Sequence, residues 1–276
     1  MALTPEEAAD GYALACQARP LGDLCISVAS SRQSFPEPRR LPATIQRLER
    51  YCDDVIHLTL ALPEPGLDYL PGQYMNVVLP DGETRSFSMA SAPAGNQVDF
   101  HVRRIPGGRY TDHWLGQAQA GAGVEIEAPL GVFSYHEEDW RPLIMMATGT
   151  GIAPIKAILE SLLDNEDCPP VTLYWGMRTE ADLYLRDVIE GWAGRLYEFN
   201  FVPVLSRAGA DWQGRRGHVQ QAVLEDHEDL SEHAIYLCGA PEMIQQAKRL
   251  LAARGASLDH MYADSFTFQH ALAAAG

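Results

Sequence analysis

Leu143-Ile-Met-Met-Ala-Thr-Gly-Thr-Gly-Ile-Ala-Pro154 is the stretch on which the fold turns. Its first five residues are an unbroken apolar run, the pattern of a strand buried on both faces. Gly149 and Gly151 then mark a turn. Ile155, Ile158, Leu159, Leu162 and Leu163 follow at the spacing of one helical face, and Pro154 suits the first turn of that helix. Strand, glycine turn and helix therefore succeed one another within about 20 residues. The rhythm continues downstream. Val171-Thr-Leu-Tyr-Trp175 reads as a strand, Asp182 to Gly191 as helical, Phe201 to Leu205 and Ala234-Ile-Tyr-Leu-Cys238 as strands, and a helix opens near Pro241. Such alternation predicts a parallel sheet flanked by helices over residues 139–276.

Upstream the period changes. Ile56, Leu58 and Leu60 alternate with His57, Thr59 and Ala61, as in a half-buried strand. Gln73 to Leu79 is another strand, closed by Pro80-Asp81-Gly82, and Val98 to Val102 and Val124 to Ala128 are two more. Short strands between Gly/Pro turns predict an antiparallel barrel or sandwich over residues 41–138. The polar, proline-bearing Ser30 to Arg40 reads as a linker, and residues 1–40 form a separate N-terminal zone.

The 276 residues are 46% hydrophobic and 21% charged, ordinary for a chain that buries a core. A net charge of −16 argues against nonspecific nucleic-acid binding and against docking on an anionic membrane. No apolar run reaches the roughly 18–20 residues that span a bilayer, and the acidic start lacks signal-peptide layout. A cytoplasmic location is expected. Cys16, Cys25, Cys52, Cys168 and Cys238 include no C-x-x-C pair, so free thiols are expected rather than a zinc knuckle or a disulfide scaffold.

Five stretches carry candidate chemistry. Thr148, Gly149, Thr150 and Gly151 form a turn through which backbone N–H groups can approach a diphosphate at a helix N-terminus. The full Gly-x-Gly-x-x-Gly spacing is absent, because Pro154 stands at the third position, and a tight structural turn reads equally well. In Arg85-Ser86-Phe87-Ser88 an arginine can pair with phosphate, an aromatic can lie against a ring system, and Ser88 can donate to a ring nitrogen. An ordinary strand with an exposed arginine is the plainer alternative. His101-Val102-Arg103-Arg-Ile-Pro-Gly107-Gly108-Arg-Tyr110-Thr111 can clamp an anionic ligand, its paired glycines forming an N–H nest, or it can be a hairpin loop with arginines on its solvent face. Cys238-Gly239-Ala-Pro-Glu-Met243 places a small soft side chain at the carboxyl edge of the sheet, where α/β folds bind ligands, although a lone buried cysteine is commonly packing. Tyr262-Ala-Asp264-Ser-Phe266 closes the series.

In this order the stretches resemble the ferredoxin–NADP reductase superfamily, from about Leu41 to Phe268. The resemblance implies a six-stranded antiparallel FAD-binding barrel followed by a five-stranded parallel Rossmann-like sheet for NAD(P). It implies that Arg85 holds the FAD diphosphate, Phe87 stacks near the isoalloxazine, and Ser88 hydrogen-bonds near its N5. Arg103, Gly108 and Thr111 would complete that clamp, with His101, Val102, Gly107 and Tyr110 around it. Thr148, Thr150, Gly151 and Pro154 would border the NAD(P)H diphosphate. Cys238, Gly239 and Met243 would lie by the nicotinamide, and Asp264 and Phe266 would face the flavin. Ser88, Cys238, Asp264 and Phe266 are thus the catalytic candidates. The chain departs from the family's pattern at Phe87, usually Tyr, at Thr148, often Gly, and in Asp264/Phe266, which stand for a Glu/Tyr pair.

Gly11 to Leu24 also resembles the end of a plant-type [2Fe–2S] ferredoxin domain, with Cys16 as a fourth ligand. The upstream C-x₄-C-x₂-C loop has no counterpart, so no cluster is expected in this chain. The expected activity is hydride transfer from NAD(P)H to FAD, then electron transfer to a partner such as a ferredoxin or oxygenase component. The alternative is an NAD(P)H:flavin reductase that releases reduced flavin, because Arg85 to Ser91, Tyr174-Trp-Gly176 and Trp212 to Gly217 also look like that group. Ser206-Arg207, with Arg215 and Arg216, could receive a 2′-phosphate. Tyr174 to Arg178 and Asp182 to Tyr184 look more like NADH-using members, so NADH is favoured.

Overall fold

The computed structural model describes residues 35–266 without interruption, together with residues 8, 9, 11, 13, 18–23 and 25. Cys16 and residues 30–34 of the linker lie outside the described residues.

Strands β1 (Arg39–Cys52), β2 (Val55–Ala61), β3 (Tyr74–Val78), β4 (Thr84–Ser88), β5 (Gln97–Arg103) and β6 (Gly123–Leu130) form an antiparallel sheet in the order β4-β3-β6-β1-β2-β5. Its edges meet where Met89 bridges Phe100 and the Ala90 N–H donates to Asp99 O at 2.7 Å, which curls the sheet into the expected barrel. Ile45, Leu58, Leu60, Met75, Phe100 and Ile126 fill the interior. Strand β1 has no counterpart in the sequence reading. Only Ala43 and Ile45 on it are buried, and breaks in register between Ile45 and Arg47 and between Arg50 and Cys52 interrupt its period.

Strand β2 departs from the expected half-burial. His57 and Thr59, on the outward face, are buried along with Leu58 and Leu60. The second unit covers that face. Tyr51 stacks on His57 with ring centroids 4.6 Å apart and on Tyr184 at 5.3 Å, while the Tyr184 hydroxyl lies 3.3 Å from His101 Nδ1. His57 Nε2 and the Thr59 hydroxyl approach Asp99 Oδ1 at 3.0 and 2.7 Å.

Strands β7 (Leu143–Thr148), β8 (Val171–Met177), β9 (Asn200–Leu205), β10 (Arg215–Arg216), β11 (Ala234–Gly239) and β12 (Met261–Ser265) form a parallel sheet in the order β10-β9-β8-β7-β11-β12. The sheet has six strands where five were expected. The sixth is the two-residue β10, too short to carry a hydrophobic period. Helices α1 (Ile152–Leu162), α2 (Arg186–Glu190), α3 (Val219–Asp226) and α4 (Pro241–Ala252) cover both faces. The apolar run at 143–147 divides as a doubly covered strand must. Leu143, Met145 and Ala147 pack with α1 and Ile189 of α2, whereas Ile144 and Met146 pack with Val223 of α3 and Ile244 of α4. The expected helix from Asp182 starts later, at Arg186. A separate turn, Glu180–Asp182, is closed by Asp182, whose Oδ2 accepts from both the Thr179 N–H and the Thr179 hydroxyl at 2.8 Å.

The chain runs from β7 outward to β8 and β9, then returns to β11 and β12 on the other side. The carboxyl ends of β7 and β11 therefore form a topological switch point, where open α/β sheets leave a crevice. Among the described residues no helix is long and apolar enough to cross a membrane.

Burial raises the Asp99 carboxyl, but the hydrogen bonds from His57 and Thr59 outweigh it and hold it down at about 2. Its folded value lies below the unfolded one near 3.9, so the stabilisation is complete above about pH 4 and is lost as pH falls towards 2. Asp99→Asn is expected to cost about 1–2 kcal/mol at pH 7 in urea unfolding, with the deficit shrinking below pH 4.

Candidate functional site

A cleft of about 390 Å³ opens at the switch point. One wall comes from the barrel, through Asp54, Val55 and Arg103; the other is formed by Thr148, Gly149 and Thr150 after β7, Met177 and Arg178 after β8, Ser206 after β9, and Gly239, Met243 and Phe266.

Local geometry explains the turn. Gly149 has φ +56°, and the buried Trp175 donates its indole N–H to Gly149 O at 3.0 Å. That bond draws the carbonyl inward. The Ile152 N–H closes back on Gly149 O and Pro154 has no N–H, so the amides that stand at the helix start, where an anion is favoured, are those of the Gly149–Gly151 turn. A Cβ on Gly151 would collide with the Cys238 carbonyl and meet Gly239 Cα at 3.0 Å, so only glycine lets the helix start approach β11 this closely. Gly239, at φ +146°, has no room for a Cβ because the Thr148 hydroxyl fills that space.

Sequence candidates more than 150 residues apart come together behind the cleft, where Gly239 and Phe266 line it and Ser88, Cys238 and Asp264 do not. Cys238 and Asp264 are partners in register on β11 and β12. The Ser88 hydroxyl, from barrel strand β4, lies close enough to the Asp264 carboxyl to favour its charged form. The Phe266 N–H donates to Gly239 O at 2.8 Å, and its ring lines the cleft. Burial pushes the Asp264 carboxyl up to about 6, against the opposing effect of the Ser88 hydroxyl. Burial, reinforced by the Asp264 charge, pushes the fully buried Cys238 thiol well above its ordinary value.

Around the barrel motif, Arg85 pairs with Glu83 at 2.9 Å and donates to Thr84 O at 2.8 Å. Phe87 lies 5.3 Å from Tyr110, and Tyr110 stacks on Trp114 at 5.1 Å. The Tyr110 hydroxyl is buried without a hydrogen-bond partner among the described residues. The expected glycine nest is not open. Gly107 N–H donates to Asp112 Oδ2 at 2.7 Å, Gly108 N–H donates to Ile105 O at 2.8 Å, and the Thr111 hydroxyl accepts from Ile105 N–H at 3.1 Å. Gly108 is nonetheless required, since a Cβ there would lie 2.8 Å from the Thr111 hydroxyl.

Some candidates fall elsewhere. Val102 points into the barrel core and His101 into the contact between the two sheets, where burial holds its imidazole well below the usual range. Pro154 is buried in the first turn of α1, and Arg207 does not line the cleft. Arg103 lies on the barrel wall of the cleft, which Arg85 does not line, with Asp54 Oδ2 2.8 Å from its Nη2. The sequence reading missed Asp54, Asp182, His218 and Glu242 in the lining and Trp175 behind the turn. Asp182, Glu242 and Trp175 stand in segments that the resemblance had marked, whereas Asp54 and His218 do not. Together the side-chain-free cradle at Gly149–Gly151, the unpartnered Tyr110 hydroxyl and the Phe87–Tyr110 wall fit a dinucleotide on one side and an aromatic cofactor on the other.

Comparison with known proteins agrees with this geometry. Residues 42–135 match the family described as Oxidoreductase FAD-binding domain, and residues 145–249 match the Oxidoreductase NAD-binding domain. The CDP-6-deoxy-L-threo-D-glycero-4-hexulose-3-dehydrase reductase of Yersinia pestis is 33% identical over 267 residues, covering 96% of this chain and 80% of the relative. The anthranilate 1,2-dioxygenase electron transfer component of Acinetobacter baylyi is 33% identical over 273 residues, covering 96% and 79%. The crystal structure of Amycolatopsis cytochrome P450 reductase GcoB superposes with a TM-score of 0.82 at 36% identity, covering 96% of this chain and 81% of that one. The chain belongs to the ferredoxin–NADP reductase superfamily, as an NAD(P)H-dependent flavoprotein oxidoreductase.

Proposed function

We propose that the chain is the reductase component of an oxygenase-type electron-transfer system, taking electrons from NADH and delivering them to an iron–sulfur or oxygenase partner protein. The observation that carries this reading is the cleft that both units line, its barrel wall at Asp54, Val55 and Arg103 facing the Gly149 turn, Gly239 and Phe266 of the parallel sheet. FAD, when bound, accepts a hydride and releases its two electrons singly, which the side chains of the protein cannot do.

The protein's own residues supply binding and alignment. Residues 41–138 form the flavin unit in this proposal, and residues 139–276 the nucleotide unit. Arg85 exchanges its Glu83 partner for a phosphate, with which a guanidinium forms a stronger paired contact than with an exposed carboxylate. Phe87 and Tyr110 wall the flavin ring, and Ser88 donates to it. The amides of Gly149, Thr150 and Gly151 receive the nucleotide diphosphate, and Arg178 and Ser206 its adenylate end. Cys238, Gly239 and Met243 leave a small-residue floor for the nicotinamide. Phe266 covers that floor and keeps water from it until the nucleotide enters.

NADH rather than NADPH follows from the cleft's charge. Asp182 lines it beside Arg178 and Ser206, and a fixed carboxylate there opposes an added phosphate dianion. Arg207, Arg215 and Arg216, the candidates for a 2′-phosphate, do not line the cleft. Within these 276 residues the five cysteines lack C-x₄-C-x₂-C spacing, so in this reading FAD is the redox group that they hold. A cytoplasmic setting belongs to the same reading, with Cys52, Cys168 and Cys238 as free thiols.

Gel filtration followed by anaerobic NADH titration tests the function. FAD is expected to co-elute with the chain and to bleach on NADH addition, with kcat/KM for NADH at least ~10-fold above that for NADPH. Flavin eluting free would instead favour a flavin reductase. Ser88→Ala is expected to slow flavin reduction by ~10- to 100-fold in stopped flow with little change in nucleotide affinity, because it removes one aligned donor.

Asp264 is raised on folding, so its charge is penalised once pH exceeds the unfolded value near 3.9, and fully so above about 6. Asp264→Asn is therefore expected to be more stable than wild type by about 1–3 kcal/mol at pH 8 and equal to it at pH 4, read from urea midpoints.

A further inference from the structure

We propose that Lys156, on α1, is a positioning residue for hydride transfer. Through the Ala90 carbonyl it holds the strand end that carries Ser88 at a set distance from the helix start that carries the glycine turn, and so sets how the nicotinamide overlaps the flavin. The proposal rests on the reductase reading and goes beyond it, to a residue that does not line the cleft.

A lysine is almost never buried without partners. Lys156 is 7% exposed, and its Nζ donates to Ala90 O at 2.8 Å and to Glu160 Oε1 at 2.6 Å. The two acceptors belong to different units. Glu160 lies one turn further along α1, whereas Ala90 stands two residues beyond Ser88, where β4 ends. Glu160 Oε2 also accepts the Ala92 N–H at 3.4 Å, so the ion pair meets the same barrel segment at two points.

That segment is stiff. Met89 N–H donates to Gln73 O at 3.0 Å and Ala90 N–H to Asp99 O at 2.7 Å, and both residues are fully buried. A shift of the Ala90 carbonyl therefore carries Ser88 with it. The other end of α1 is equally fixed, because Gly151 has no room for a Cβ against Cys238 O and Gly239 Cα. Lys156 follows Gly151 by five residues, which is about 7–8 Å of helix rise. Between these anchors the helix is a strut, with the glycine turn at one end and the Ser88 strand at the other.

Stability alone does not call for an ion pair here, since apolar side chains of similar volume commonly serve as well once both charges are gone. What the ammonium adds is direction: a hydrogen bond fixes where the carbonyl stands, and an apolar contact does not. Hydride transfer is sensitive to such placement. Reacting atoms must come within about 3–3.5 Å, and a displacement of about 1 Å costs on the order of 100-fold in rate. The diphosphate contacts of the reductase reading come from Gly149–Gly151, within the parallel-sheet unit, so nucleotide affinity does not depend on this tie.

The test uses the FAD-loaded full chain. Lys156→Met keeps the apolar stem and loses the donor, and Lys156→Arg keeps a donor. Lys156→Met combined with Glu160→Gln leaves no unpaired charge, should the single variant not fold. Each protein is titrated with a tetrahydro-NADH analogue that cannot give up a hydride, and whose long-wavelength charge-transfer absorbance with oxidised flavin reports ring overlap without turnover. Flavin reduction at saturating NADH is followed in stopped flow, and flavin per chain and the urea midpoint are recorded. Lys156→Met and the double variant are expected to bind the analogue within ~3-fold of wild type, to lose at least about half of the absorbance, and to be reduced ~10- to 100-fold more slowly with flavin retained; Lys156→Arg recovers part of both losses. Wild-type absorbance and rate in the double variant, analogue affinity falling in step with the rate, or a lower urea midpoint as the sole change would each overturn the proposal. A wild type whose flavin NADH does not reduce refutes the reductase reading, and the proposal with it. A wild type that is reduced, with every variant alike, refutes the proposal alone.

Discussion

The Lys156 ammonium sits at the junction of the two sheets, donating at 2.8 Å to the carbonyl of Ala90 and at 2.6 Å to Glu160 one helical turn away. Lys156 lies on α1, the helix that begins at the glycine turn. Ala90 follows Ser88 by two residues on the barrel side. One buried cation therefore sets the spacing between the strand end that carries the flavin candidates and the helix start that carries the phosphate turn. Glu160 Oε2 adds a longer contact, accepting from Ala92 N–H at 3.4 Å. An unpaired charge in such a place would cost several kcal/mol, so pairing with Glu160 is what makes the arrangement tolerable.

The aromatic contacts extend this junction. His57, Tyr51, Tyr184 and Trp175 follow one another with centroid separations of 4.6, 5.3 and 5.2 Å, and Trp175 ends at the carbonyl of Gly149. Stiff rings packed in sequence connect the outer face of the barrel to the backbone that meets the diphosphate. Burial pushes the Tyr51 and Tyr184 hydroxyls up and the His101 imidazole well down, as expected where these rings are shut away from water.

A good part of the molecule was readable in advance, for definite reasons. The run Leu143 to Ala147 advertised a doubly covered strand because both faces must be apolar when helices flank the sheet, and Gly149 with Gly151 marked the turn because their positions exclude side chains. Strand β1 was invisible because its bulges break the period, and β10 because two residues have none. His57 and Thr59 looked solvent-facing because nothing in a strand's own sequence tells that another unit will cover it.

By itself the sequence determined the two architectures, the order of the motifs along the chain, and the residue types able to meet phosphates and rings. These are local properties, carried by period, turn chemistry and glycine placement. Tertiary structure decided which of those residues meet. It brought Ser88 beside Asp264, closed the Gly107–Gly108 amides on Asp112 and Ile105, and set Arg103 against Asp54 and the glycine turn. The physical reason is that each outcome depends on contacts formed only once separate segments pack, and a side chain bonds to whichever partner the packed fold brings within reach.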